Sequence, residues 1–410
     1  MRTIPALLVI APLALISSIA PAHRPPACAP DNAGLTLPAG FCATLFAGQL
    51  GVVRHLTALP NGDILAATGG PSGGVYLLRD TNGDGSADVQ NRFGPSGGNG
   101  ITWSGGYLYF ATSNQVMRWP WKPGQSQPAG QPELIVTDLP VDGNHTTKSL
   151  ALGPDGALYV SVGSATNSCQ ESDRSKGSKG HQPCTELATR AGIWKFSASK
   201  QGQRQSDGVL WATGIRNAVA LTTDPASGKV YAASHGRDQL GDNWGFSDSL
   251  NAELPSEEFF EVHQGTDVGW PYCYYDELQG KKVTAPEYGG DGKMVGKCGE
   301  KQAPLIGFPG HWAPMAIAFY TQSLFPPSYR NGAFIAFHGS WNRAPLPQAG
   351  YRVVFVPFAG GKPTGKYDTF ATLTGKPTGF RPSGLAVGSD GALYIAGDAN
   401  HQIWRVVPQQ

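Results

Sequence analysis

The sequence predicts an all-β protein: a six-bladed β-propeller of four-stranded antiparallel blades, its ring closed by the N-terminal strand in the last blade. Three observations carry this. A turn built on Gly followed by a short apolar strand recurs six times, further strands flank each turn, and no helical period of useful length occurs beyond the first 22 residues. The 55 glycines and 33 prolines fall at turns rather than in low-complexity blocks.

The six turns are Asn61-Gly62 before DILAATG, Gly105-Gly106 before YLYFATS, Asp155-Gly156 before ALYVSVG, Ser227-Gly228 before KVYAASHG, Asn331-Gly332 before AFIAFHGS and Asp390-Gly391 before ALYIAGD. Such dipeptides supply the positive φ angles that tight hairpins require. A strand precedes each turn (VRHLTAL, GITWS, KSLALG, AVALTTD, MAIAFY, SGLAVG) and another follows (GVYLLRD, QVMRWPW, GIWKFSA, EFFEVHQ, YRVVFVPF, QIWRVV). Outer strands such as ELIVTDL and TFATL complete four per unit. Each sheet can bury its faces only against its neighbours, so the units require the whole ring. Segment 41–48, FCATLFAG, has no unit of its own and is assigned as the outer strand of the last blade. The fourth and fifth turns stand 104 residues apart (228 to 332), against 44 for the first two (62 to 106), so an insertion is expected within about 237–310.

The N-terminus reads as a signal peptide over residues 1–22. Met1 and Arg2 precede an uncharged apolar run from Ile4 to Ala20, and Ala20-Pro21-Ala22 offers an A-x-A cleavage site. Pro5 and Pro12 interrupt the run, which argues against a spanning anchor. The propeller then occupies residues 23–410, in the periplasm or secreted, with no membrane span. The six cysteines, Cys28, Cys42, Cys169, Cys184, Cys273 and Cys298, lie beyond the cleavage point. Sequential pairing is the simplest of their 15 connectivities, and each bridge would staple a short loop for on the order of 3 kcal/mol. None sits in a C-x-x-C or C-x-x-C-H spacing, so structural zinc, thiol redox work and attached haem lack their usual signatures, and electrons would leave to a separate acceptor. A formal net charge of +1 with 15% charged residues argues against nucleic acid or an anionic membrane as the main partner.

In a propeller the loop leading into each innermost strand points at the axial channel. Those positions hold Arg54-His55, Asn144-His145, Arg216-Asn217, His311 and Arg381, a funnel of cationic and hydrogen-bonding groups suited to a neutral sugar or an anionic cofactor. Taken singly, each such residue more often satisfies a turn carbonyl. Together, the segments GNHTTKSLALGPDGALYVSVGS, GIRNAVALTTDPASGKVYAASHGRDQLGDN, DVGWPY, HGSWNRAPLPQAGYRVVFVPF and GFRPSGLAVGSDGALYIAGD resemble the PQQ-dependent glucose/sorbosone dehydrogenases, the soluble quinoprotein sugar dehydrogenases, from about Leu37 to Val407.

The resemblance implies an oxidoreductase that moves a hydride from a sugar hemiacetal, or a related alcohol or aldehyde hydrate, to PQQ with the help of calcium. It makes His145 the general base, with Arg216 and Asn217 at the quinone oxygens. Arg381 becomes a carboxylate clamp, His311 a cofactor contact, and the Asn342-Arg343 loop a further basic contact where some relatives carry Lys. Calcium would be held by the main-chain carbonyls of Gly236 and Arg237, with Asp238 and Asp242 close by and Glu257 or Glu258 as a further contributor. Independently, Asp80, Asn82, Asp84 and Asp88 place oxygens around a Gly like the first half of an EF-type loop, but Asn91 stands where a bidentate Glu is required; a looser calcium site and a metal-free Asx-rich hairpin both remain open. Two other functions fit a six-bladed ring: a calcium-dependent lactonase or esterase, and a non-catalytic propeller binding carbohydrate or protein. Arg and His at the channel mouth favour an anionic organic cofactor over the first, and retention of His145 and Arg216 argues against the second.

Overall fold

Each Gly-centred turn folds into the hairpin its backbone geometry demands, and the hairpins assemble in chain order into six blades. The structure, a computed structural model, describes residues 28–409; the leader expected over residues 1–22 lies outside them. From the axis outward, the first blade runs Val53–Ala58, Ile64–Thr68, Gly74–Arg79, Val89–Phe93. The second runs Ile101–Ser104, Tyr107–Ala111, Val116–Pro120, Glu133–Thr137, and the third Leu150–Leu152, Ala157–Val162, Gly192–Ser197, Val209–Thr213. The fourth runs Ala220–Thr223, Val230–Ser234, Glu257–Val262, Ile306–Phe308, and the fifth Pro314–Tyr320, Gly332–Phe337, Arg352–Ala359, Asp368–Leu373. In the sixth, Pro382–Val387, Leu393–Gly397 and Gln402–Pro408 are joined by Phe41–Ala47, which pairs antiparallel with Gln402–Pro408. The innermost strands abut one another around a circle, the last packing against the first.

The second strands are buried along their whole length rather than alternating, save for half-buried Tyr107 at the start of the second blade's, because both faces of every blade are covered. Alternate residues turn to opposite neighbours: in the first blade Ile64, Ala66 and Leu78 pack with the sixth, and Leu65, Ala67 and Leu77 with the second. Six apolar clusters thus fill the six gaps between neighbouring blades. At about 25 cal/mol per Å² of apolar area removed from water, these contacts are the main source of cohesion.

The long interval in the fourth blade contains that blade's own third strand, so the additional chain falls in two segments rather than one. Residues 235–256 carry the short helices Leu240–Trp244 and Asp248–Glu253, and residues 263–305 carry the hairpin Cys273–Asp276/Lys281–Thr284. The cysteines pair sequentially, Cys28–Cys42, Cys169–Cys184 and Cys273–Cys298. Among the described residues no helix is long and apolar enough to cross a membrane.

Candidate active site

Strand direction decides which residues meet at the channel mouth. Because each blade's second strand runs antiparallel to its first, the residue before the first strand and the residue after the second emerge on the same face. The first set contributes His145, Arg216, Asn217, Ala313 and Arg381, with Arg54 at the second position of its strand; the second contributes Ser164, His235, Gly236, His338 and Asp398. On the third- and fourth-blade side a cavity of about 160 Å³ is lined by His145, Arg174, Arg216, His235, Gly236, Asp238, Glu257, His311, Ala313, Trp341 and Asn342.

His145 is held in one tautomer. The Ser164 hydroxyl donates to Thr166 O (2.7 Å), so both Ser164 oxygens can only accept from Nδ1–H of His145, at 2.9 Å (carbonyl) and 3.0 Å (hydroxyl). Nε2 therefore carries the lone pair. Burial, with the Arg216 charge adding to it, pushes the imidazole down to about 2, which keeps it neutral near pH 7. Gly163 makes this packing possible, since a Cβ there would lie 2.5 Å from His145 Cβ.

Arg216 is almost wholly committed to protein. Nε donates to Asn167 O (3.0 Å), Nη1 to Gly236 O (2.8 Å), and Nη2 to Asn167 Oδ1 (3.0 Å) and Asp238 Oδ2 (3.0 Å). The G-W-P-Y segment supports it at one remove: Trp270 Nε1 donates to Asn167 O (3.0 Å). Asn217 lies beside His235, whose Nε2–H donates to Pro314 O (2.8 Å), leaving Nδ1 to face the Asn217 amide at 3.4 Å.

Asp238 is the anionic centre of this side. Arg174, carried on the loop closed by Cys169–Cys184, donates to it at 2.9 Å, Asn342 Nδ2 at 2.8 Å, and His311 Nδ1 stands 3.6 Å away. Burial alone would raise this carboxyl, but Arg216, His311 and Arg174 outweigh it and hold it well below the carboxylate range. Glu257 beside it has no cationic partner; its oxygens accept only Gly236 N (3.0 Å) and Ala313 N (3.3 Å), and burial pushes it up to about 7. Asn342 Oδ1 is buried with no hydrogen-bond partner.

A second cluster faces it from the first, fifth and sixth blades. Arg54 donates through Nε to Asn99 Oδ1 (2.9 Å) and through Nη1 to Asp398 Oδ2 (3.1 Å); its Nη2 is unpaired, and it lines a cavity of about 500 Å³ with Asn99, Thr112, Thr146 and Lys148. Arg381 donates only through Nη1, to His338 Nδ1 (3.1 Å) and Gly339 O (3.3 Å), and lies 5.1 Å from the Tyr351 ring centre.

Two expected side chains stand elsewhere. The Arg343 side chain turns away to Ala252 O, Gly310 O (3.1 Å) and Glu253 (2.5 Å), pinning its loop to the end of the second short helix. Asp242 is exposed on the first short helix, outside the cavity lining; the Arg237 side chain pairs with buried Glu287, while its expected contribution is the main-chain carbonyl. His311 lines the cavity, its Nε2 bonded to Asn251 O at 2.7 Å. In the Asp80–Asp88 hairpin the carboxylates accept from the loop itself: Asp80 from Gly83 N and Gly85 N, Asp84 from Ser86 N, Asp88 from Thr81 N and the Asn82 amide. These are the bonds of an Asx-rich turn.

A family model described as TrAA12-like matches residues 35–409. The chain belongs to that family. This agrees with the resemblance to soluble quinoprotein sugar dehydrogenases read from the motifs. The holo form of the pyranose dehydrogenase PQQ domain from Coprinopsis cinerea superposes with a TM-score of 0.74 at 20% identity, over 94% of this chain and 99% of that one. An uncharacterized protein of Borreliella burgdorferi is 32% identical over 200 residues, 48% of each chain. The pyrroloquinoline quinone-dependent pyranose dehydrogenase of Coprinopsis cinerea is 25% identical over 228 residues, 47% of this chain and 30% of that protein. The matched region thus spans half or less of these curated relatives.

Proposed function

We propose that the chain is a PQQ- and calcium-dependent oxidoreductase that takes a hydride from a sugar hemiacetal, or a related alcohol or aldehyde hydrate, and passes the electrons to a separate acceptor. The observation that carries the reading is the fixed tautomer of His145: an unprotonated Nε2 beside the cavity it shares with Arg216. A base so placed accepts the hydroxyl proton as the carbon–hydrogen bond breaks.

The residues fit the cofactor. PQQ carries three carboxylates, and Arg54 through Nη2 and Arg381 through its Nε/Nη2 edge offer donors free of protein partners. When bound, PQQ supplies an electron-accepting ortho-quinone and calcium polarises it. Arg216 and Asn217 would face the quinone oxygens, where Arg216 offsets the negative charge that reduction brings. The residues also fit a hard cation. Gly236, Asp238, Glu257 and the unpartnered Asn342 Oδ1 give an oxygen-only donor set around one cavity. Three disulfides suit folding in an oxidising compartment, which supports a periplasmic or secreted location.

The test is reconstitution. Purified protein given PQQ and calcium should gain dye-linked dehydrogenase activity in a screen of aldoses, 1,2-diols and aldehydes. No uptake of PQQ by absorbance, with or without calcium, ends this reading.

A further inference from the structure

Asp398 follows the second strand of the sixth blade and is nearly buried, yet three groups from three blades converge on it. Arg54 Nη1 of the first blade lies 3.1 Å from Oδ2, and His338 Nε2 of the fifth lies 2.9 Å from each carboxylate oxygen. Within the sixth, Asp398 N donates to Arg381 O (3.2 Å). Burial would raise this carboxyl, but the His338 hydrogen bond and the nearby Arg54 and Arg381 charges hold it below its usual range, so it is ionised. A carboxylate can only accept, so His338 Nε2 carries a hydrogen. Nδ1 then accepts from Arg381 Nη1 at 3.1 Å.

We propose that Asp398 is the positioning residue of an anion clamp: directly through Arg54, and through His338 to Arg381, one carboxylate sets the direction of two guanidinium groups whose remaining N–H donors take the carboxylates of the cofactor. The inference rests on the PQQ reading above and deepens it. Arg54 is held at two separate points, Nε on Asn99 and Nη1 on Asp398, which leaves Nη2 free, and Arg381 is held through Nη1 alone, which leaves its Nε/Nη2 edge free. Rotation about the long Arg side chain would otherwise blur both; ordering them beforehand lowers what binding must supply. A carboxylate that served only to staple three blades would have no reason to leave donors of both arginines unpaired.

The experiment is equilibrium titration with PQQ, read by quenching of tryptophan fluorescence, on the wild-type protein, Asp398→Asn, Arg54→Gln and the double variant. Asp398→Asn should weaken PQQ binding by about tenfold or more, and by far more than it lowers turnover at saturating PQQ. Because part of the effect of Asp398 passes through Arg54, the double variant should lose clearly less than the product of the two single losses. Affinity within about twofold of wild type for Asp398→Asn, or losses that multiply in the double variant, overturns the proposal. Should Asp398→Asn fail to fold, His338→Gln decides: several-fold weaker binding is expected from the loss of the acceptor for Arg381, and unchanged affinity overturns the proposal. Wild-type protein that does not bind PQQ sinks the cofactor reading itself, a result visible before any variant is compared.

Discussion

The two sides of the channel mouth handle positive charge in opposite ways. On the third- and fourth-blade side, Arg216 is buried with its donors spent on Asn167, Gly236 and Asp238. On the facing side, Arg54 keeps Nη2 unpaired and Arg381 is anchored through Nη1 alone, with its Nε/Nη2 edge open. A buried cation surrounded by fixed acceptors contributes a field without moving, which is what a developing negative charge requires. A half-satisfied guanidinium has spare donors for a bidentate partner. Lys148 is a third case: fully buried, it has no carboxylate and donates to the carbonyls of Pro140 (2.9 Å) and Thr146 (2.6 Å).

The contrast is broken most severely at Asp238. Asp238→Ala leaves Arg216 and Arg174 without their shared carboxylate, and removing one partner of a buried pair costs about 3–5 kcal/mol. Thermal denaturation should show a fall of many degrees, larger than for any substitution on the Arg54 side; a melting point within a degree or two of wild type would mean that the arginines find other acceptors.

Lys148 sharpens the contrast through pH. Burial, with Arg190 adding to it and Asp142 opposing it, pushes the amine down from 10.5 to about 7. The folded protein releases this proton near pH 7 while the unfolded chain keeps it to about 10.5, so the unfolded state binds more protons in that window and stability rises with pH. The difference in unfolding free energy between wild type and Lys148→Met should therefore change across pH 7 to 10.5, on the order of a few kcal/mol at the limit. Parallel curves for the two proteins would place the charge in solvent.

At the seam between the sides, His145→Ala should lower turnover by roughly 10²-fold or more with PQQ still bound, the usual contribution of a positioned base. Steady-state rates at saturating PQQ, beside the fluorescence titration, separate the two effects. Full turnover would remove His145 from the chemistry.

The blades were legible because their determinants are local: Asn61-Gly62 or Asp390-Gly391 forces a hairpin whatever surrounds it, and an apolar stretch such as ALYIAG can be buried only as an inner strand. Half of the site followed from the same rule, since His145, Arg216 and Arg381 each stand before a first strand and Arg54 is the second residue of one. The other half was missed by looking only there. His235 and His338 follow second strands in the matching segments SHGRD and FHGSW, and antiparallel pairing brings that register back to the same face. Asn167 and Arg174 come from an irregular loop whose path depends on Cys169–Cys184 and on tertiary packing. Spacing also fails to give direction inside a loop: Trp341 is exposed, Asn342 reaches Asp238, and Arg343 points to the short helix, three successive residues with three destinations.

The smallest expected effect is the most discriminating. Arg54→Gln keeps a polar but shorter side chain and removes the charge and the free Nη2 donor. Asp398 then loses one partner while keeping His338, and no buried cation is stranded, so the melting temperature should fall far less than for Asp238→Ala. Affinity should respond instead, with PQQ binding weakened by about tenfold, roughly 1.4 kcal/mol, and with a shallower salt dependence because one ionic contact is gone. A large loss of stability with unchanged affinity would invert the comparison: Arg54 would then be an internal counter-charge like Arg216, and the open edge would have to belong to Arg381 alone.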